Sequence, residues 1–133
     1  MDSMSIDARL WRAYSNIAMR FLSRWECSSY AIITACNPRS QKLSDEANCI
    51  KNRMLEQDLL GFHYGRVNVG DPSFDWVEAS FSVDITLLQA CELAQKYEQN
   101  AIYWVENGVL FLVSCDENRT QQNLGLLSQY VCD

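Results

Sequence analysis

At 133 residues and 15.3 kDa the chain is sized for one domain. With 48% apolar residues, four Trp, five Phe and six Tyr against two Pro and five Gly, it has a core to bury and lacks a disordered composition. No apolar run approaches the roughly 18 residues of a membrane span, and the N-terminus, with Asp2, Asp7 and Arg9, has no secretory apolar region; a cytoplasmic protein is expected. The net charge of −6 is uneven: residues 1–66 hold nine basic and seven acidic groups, residues 67–133 two basic and ten acidic. The acidic half repels phosphate backbones, so nucleic acid is an unlikely partner, and only Arg9, Arg12, Arg20, Arg24 and Arg39 offer a small basic patch.

From Ile6, apolar residues recur at Leu10, Tyr14, Ile17, Phe21 and Trp25, the three-to-four spacing of one helical face, which predicts a helix over residues 6–22. Its polar side carries Arg9, Arg12, Asn16 and Arg20. The run Tyr30–Cys36, bounded by Ser28-Ser29 and Asn37-Pro38, reads as a buried central strand. After a polar loop over residues 39–43, Ser44 caps a helix with Asp45 and Glu46 in its first turn; Ala47, Ile50, Met54, Leu55 and Leu59 are expected inward, and Asn48, Lys51, Asn52 and Glu56 on the other side, up to Gly61. Residues 62–69 and 76–83 flank the turn Gly70-Asp71-Pro72-Ser73 and read as a hairpin. Alternation places Trp76, Glu78 and Ser80 on one face and Val77, Ala79, Phe81 and Val83 on the other, taken as the core side.

Thr86 caps a helix over residues 87–98, with Leu87, Leu88, Cys91, Leu93, Ala94 and Tyr97 inward. Asn107-Gly108 between two apolar runs, 101–105 and 109–113, selects a type I′ hairpin. Leu124, Leu126 and Leu127 suggest a short helix in the tail. The order strand, helix, strand, strand, helix, strand predicts an α+β fold of ferredoxin-like (split β-α-β) type, with an added N-terminal helix and a C-terminal hairpin. The division is 1–27 for the N-terminal helix, 28–115 for the plait and 116–133 for the tail, all within one domain. Both plait helices would share one face of the sheet, leaving the other to the N-terminal helix or a partner subunit; a homodimer is open on this reading.

Chemistry is sparsely written. No phosphate-binding glycine loop occurs, and His63, the only histidine, sits at a helix-strand junction where a structural role is the default. Six cysteines without C-x-x-C spacing or a nearby histidine predict neither zinc nor disulfides; Cys36, Cys49 and Cys91 are expected buried and Cys132 exposed. A carboxylate metal site would require Asp71, Asp75 and Glu78 to converge, and neither metal nor cofactor is expected. The informative group is polar: Thr34, Asn37, Arg39 and Ser40 at the carboxyl end of a buried strand, with Asn48 and Asn52 on the helix that follows, where α/β units dock ligands. The same asparagines could instead bond loop backbone. Glu78, beside Trp76 on its strand face, joins the set as either a paired inward carboxylate or a solvated one.

The strings Ile32-Ile33-Thr34-Ala35-Cys36-Asn37-Pro38-Arg39-Ser40, Asn48-x-x-Lys51-Asn52-x-x-Leu55, Gly70-Asp71-Pro72 with Trp76-x-Glu78-x-Ser80-Phe81, and Gln99-Asn100-Ala101-Ile102 resemble the bacterial family known as domain of unknown function 3293, over roughly residues 13–114. The resemblance implies a small bacterial cytoplasmic protein without established activity and adds Gln99 to a shared polar surface with Asn37, Asn48, Asn52 and Glu78. It also implies a large aromatic at position 36, Arg at 51 and Gly at 98, where this chain has Cys36, Lys51 and Glu98. Two functions fit. One is a binding module presenting an Asn-, Glu- and Gln-rich cleft to a small ligand or protein; the other is an acidic inhibitor or adaptor of the kind mobile elements and phages use against host defence, covering a basic nucleic-acid-binding complex. An uncharacterised enzyme is third, weakened by the single histidine and the lack of a nucleophile arrangement.

Overall fold

Alternation along the second strand shows how this chain buries itself: Tyr30 and Ile32 enter one apolar cluster, Ala31 and Ile33 another. A strand with both faces buried needs cover on both. The computed structural model, which describes residues 8–132, shows where each cover comes from. The fold is α+β, with α1 (Ala8–Ser15), β1 (Ala18–Phe21), β2 (Ser29–Ile33), α2 (Asp45–Asp58), β3 (Tyr64–Gly70), β4 (Val77–Val83), α3 (Leu87–Lys96), β5 (Ala101–Glu106), β6 (Val109–Ser114) and β7 (Gln121–Leu126). Short 3-10 turns cover Pro38–Ser40 and Leu127–Gln129.

The strands form one antiparallel sheet in the order β1-β3-β4-β2-β5-β6-β7. On one face, α2 and α3 pack Leu55, Leu59, Ala90, Cys91, Ala94 and Tyr97 against Ala31, Ile33, Phe81, Val83, Ile102 and Val113. The opposite face is covered by the sheet itself. Its cluster joins Ile17 and Met19 from one edge, Val67, Val69, Tyr30, Ile32 and Val105 from the middle, and Leu110, Leu124 and Tyr130 from the other edge, which requires the sheet to curl. The two edges then meet. Met19 N–H donates to Tyr130 O and Cys132 N–H to Met19 O, both at 2.8 Å, making a parallel bridge between Met19 and Val131.

The expectation that the N-terminal helix covers that face therefore holds only at one end, where Leu10, Ala13 and Tyr14 of α1 lie over it; the rest is covered by the curled sheet. Both termini are corrected as well. Of the expected helix over residues 6–22, Ile6 and Asp7 lie outside the described residues, α1 ends at Ser15, and Ala18–Phe21 form β1, paired with β3 from Ala18 opposite Gly70 to Phe21 opposite Val67. Most of the tail is a strand rather than a helix: β7 pairs with β6 through a bulge at Leu110/Phe111, and the helical part is confined to the short 3-10 turn Leu127–Gln129. Elsewhere the local signals are realised. Ser44 accepts from Ala47 N–H, Thr86 and Gln89 form a reciprocal cap, and Asn107 and Gly108 both take positive φ in the β5–β6 turn.

The faces of α2 and α3 need revision. On α3, Leu88 is exposed and Ala90, Cys91, Ala94 and Tyr97 face inward. On α2, Ile50 is 52% and Met54 51% exposed, whereas Asn52 is buried among Leu55 and Leu59. Hydropathy misassigns this helix because the neighbouring loop backbone requires hydrogen-bonding partners, and asparagines rather than aliphatic residues supply them. Cys36 and Cys91 are buried as expected; Cys49 is exposed on α2, and Cys132 is half-buried with its Sγ 3.5 Å from Met19 O. Among the described residues no helix is long and apolar enough to cross a membrane.

These faces can be checked by urea unfolding: Leu55→Ala should cost about 2–5 kcal/mol and Met54→Ala no more than about 0.5 kcal/mol. Equal costs would return the helix to the orientation expected from hydropathy.

Candidate functional site

Beyond β2 the chain turns sharply, with Asn37, Arg39 and Ser40 at φ of 48°, 54° and 61°. Asn adopts this left-handed region readily; Arg and Ser are held there by their partners. Arg39 N–H donates to Glu98 O at 2.7 Å and its Nε to Glu98 Oε2 at 2.9 Å. Glu98 itself has φ of 56°, which explains why glycine suits that position. The Ser40 hydroxyl meets the Tyr14 hydroxyl from α1 and accepts from Asn100 Nδ2 at 2.9 Å.

Asparagines fix the inside of this loop. Asn52 Oδ1 accepts from Ala35 N–H and its Nδ2 donates to Ala79 O, both at 2.9 Å, so α2, β2 and β4 are tied at one buried point. Thr34 Oγ1 donates to the same carbonyl at 2.8 Å and accepts from Cys36 N–H. Asn48 Oδ1 accepts from Asn37 N–H at 2.8 Å while its Nδ2 donates to Asn37 Oδ1 at 2.9 Å. Asn37 Oδ1 also accepts from Leu43 N–H. With its oxygen doubly engaged, Asn37 directs its Nδ2 to Glu78 Oε2, 2.6 Å away. Gln99 Nε2 donates to Cys36 O and Tyr97 O.

Glu78 stands opposite Val69 in the β3–β4 ladder and therefore on the concave face, with Ser80 opposite Val67. The expectation that this face lies away from the core is corrected, since Val69, Val67 and Ser80 are buried; on the expected core side Phe81 and Val83 are buried as anticipated, and Val77 and Ala79 are exposed. Next to the Glu78–Val69 pair Gly70 lets the β3–β4 turn close tightly, because a Cβ there would lie 2.1 Å from Trp76 O. Burial pushes the Glu78 carboxyl up to about 7, and the Asn37 amide offsets only part of that rise. Tyr103, behind it on β5, donates its hydroxyl to Tyr14 O at 2.5 Å and is likewise driven upward, first by burial and then by the Glu78 charge.

Between these groups lies a cavity of about 480 Å³, roofed by Leu10, Ala13, Tyr14 and Asn16 from the α1 segment. Its floor is apolar, from Ile32, Val69, Ala101 and Leu112; Glu78, Asn37, Thr34, Ser40, Gln99 and Asn100 supply the polar wall. Trp76, Asp71 and Lys42 also line it. The eight sequence candidates therefore divide. Thr34, Asn37, Ser40, Glu78 and Gln99 reach the cavity; Asn48 stands behind Asn37; Asn52 is a buried clasp; Arg39 faces outward, paired with Glu98. Tyr14, Trp76, Asn100 and Tyr103 escaped sequence reasoning. Trp76 and Asn100 had signals, one sharing the Glu78 face and the other adjoining Gln99. Tyr14 and Tyr103 had none, because their roles follow from the curl of the sheet.

His63 is exposed, stacked on Trp25 at 4.6 Å, and does not line the cavity. Asp71 and Asp75 each approach Ser73 Oγ at 2.9 Å, and among the described residues no group of three or more His, Cys, Asp or Glu could hold a metal ion. The family model described as Protein of unknown function (DUF3293) matches residues 33–102, which include most of the cavity wall. No curated protein and no solved structure matches the chain.

Linkage gives the sign of the Glu78 effect. An unfolded Glu loses its proton near the ordinary 4.5, whereas the folded chain holds it to about 7, so stability should fall as pH rises across that window and level off above it. Glu78→Gln removes the titration, and its stability relative to the parent should rise across the same window in urea melts. Parallel curves for the two proteins would show that the carboxyl titrates normally.

Proposed function

We propose that this chain, which belongs to the DUF3293 family, is a small-molecule-binding domain whose ligand lodges between α1 and the concave face of the sheet. The observation that carries this reading is a carboxyl group held by a pre-set amide in the polar wall of a cavity whose floor is apolar, the combination by which proteins orient a ligand they have desolvated. The volume is within the roughly 300–1,000 Å³ range of small-molecule sites. Positioning is built in before any ligand arrives: every bond that sets Asn37 comes from the loop or α2, so little ordering remains to oppose binding. We also read the centre of the domain as a ferredoxin-like plait. The spatial order β3-β4-β2-β5, with α2 and α3 as crossovers on one face, supports that reading.

The cavity suits a compact ligand with an apolar body and one polar end. Binding rather than turnover is favoured, because the described wall offers Glu78, Asp71, Lys42 and amides but no nucleophile paired with a base.

The test uses an obstruction at the roof. Ala13 is exposed on α1 yet lines the cavity, so Ala13→Trp should fill the mouth without disturbing the core. Phenethyl alcohol, titrated against Trp fluorescence and followed by thermal shift, should stabilise the parent protein and have no effect on Ala13→Trp, whose own melting temperature stays within a few degrees. Equal responses from the two proteins would place the binding elsewhere and end the proposal.

A further inference from the structure

We infer that the ligand of this cavity carries a protonated amine, which pairs with Glu78 Oε1 while its apolar body lies against Ile32, Val69 and Leu112. This rests on the small-molecule reading above and adds the charge of the ligand. The first argument is one of compensation. A carboxylate withdrawn from water usually has a cation beside it. Each ion pair described for this chain, Arg24–Glu26, Arg39–Glu98, Arg66–Glu56 and Lys96–Asp58, lies elsewhere. Glu78 is met instead by the neutral Asn37, on one oxygen. A cationic ligand supplies the missing partner.

The second argument comes from the other donors and acceptors around it. An ammonium has three donors to satisfy. Besides Glu78 Oε1, the wall offers Gln99 Oε1, since both Gln99 hydrogen bonds described here use Nε2. The Tyr103 and Thr34 hydroxyls give their protons to Tyr14 O and Ala79 O, so toward any ligand their oxygens can only accept. Three aromatic rings, Tyr14, Trp76 and Tyr103, line the same cavity, and their faces attract a cation once it is desolvated.

The third argument concerns charge balance. The charged or titratable groups lining the cavity are Lys42 from the loop after β2, Asp71 from the β3–β4 turn, Tyr14 from α1, Glu78 from β4 and Tyr103 from β5. Two carboxyls against one ammonium disfavour an anionic ligand. Lys42 is an exposed loop residue, while Glu78 is half-buried.

Three probes of similar shape and different charge decide the matter: phenethylamine, phenethyl alcohol and phenylpropionate, titrated calorimetrically into the full chain near pH 8. Phenethylamine should bind at least about tenfold more tightly than the alcohol, and phenylpropionate most weakly. The amine remains charged up to about pH 10, so its affinity should fall about tenfold between pH 8 and pH 6 as Glu78 gains a proton, while that of the alcohol stays constant. Glu78→Gln should abolish the preference for the amine over the alcohol and remove the pH dependence of amine binding. The parent protein alone settles the inference should that variant fold poorly, because the ranking of probes and the pH series need no substitution. If the alcohol or phenylpropionate binds as tightly as the amine, the assignment of charge falls and the small-molecule reading stands. If none of the three binds, both fall.

Discussion

A sheet that is apolar on both faces but has a helical layer on only one must find its second cover, and in this chain the sheet provides it by curling. Helices α2 and α3 occupy one face. On the other, residues from the two edge strands pack into one cluster, and the bridge between Met19 and Val131 ties the edges together. Closure fills most of the interior with Met19, Ile32, Val67, Val105 and Leu110, all nearly or fully buried. At the end nearest α1 the filling stops, and there the concave face carries Glu78, Ser80 and Tyr103 among its aliphatic side chains. The cavity is thus a consequence of closing a sheet whose inner face becomes polar at one end.

The polar wall has its own logic. Asn37, Arg39 and Ser40, on either side of Pro38, depart from ordinary backbone geometry, and a loop of that kind leaves amides and carbonyls without ladder partners. Asn48 and Asn52 satisfy them from α2, and Asn37 passes the constraint on to Glu78. Because side-chain amides both donate and accept, a single residue can take a loop N–H on its oxygen and give a hydrogen to a strand carbonyl, as Asn52 does. An aliphatic residue at position 52 would bury more apolar surface but strand Ala35 N–H and deprive Ala79 O of a donor.

Local chemistry was well legible in the amino-acid sequence, and global shape was not. Caps at Ser44 and Thr86, the turn at Asn107-Gly108 and the central strand from Tyr30 are written in adjacent residues whose preferences act over a few bonds. The helix expected through Phe21 failed because Ile17, Met19 and Phe21 alternate toward the concave cluster, a strand pattern that overlaps the helical spacing of Tyr14, Ile17 and Phe21. Most of the tail failed for a related reason: β7 pairs with β6 through a bulge, which no local preference announces. Convergence of Asn37, Asn48 and Glu78 could be anticipated from their places beside one strand end. That Glu78 faces an enclosed space could not, since its face becomes interior only when distant edges meet.

The seam between β1 and the C-terminal segment has a consequence for how the chain acquires its shape. Its two sides are among the earliest and latest described residues to leave the ribosome, so during synthesis β1 waits with an unsatisfied edge while every intervening strand is made. Long-range pairings of this kind are slow to form, because loop closure must precede any gain from contact. A nascent chain halted before Tyr130 would expose both a bare strand edge and the apolar interior behind it, the two features that invite pairing with other chains. The integrity of this fold therefore hangs on the few residues around Val131 that close the seam.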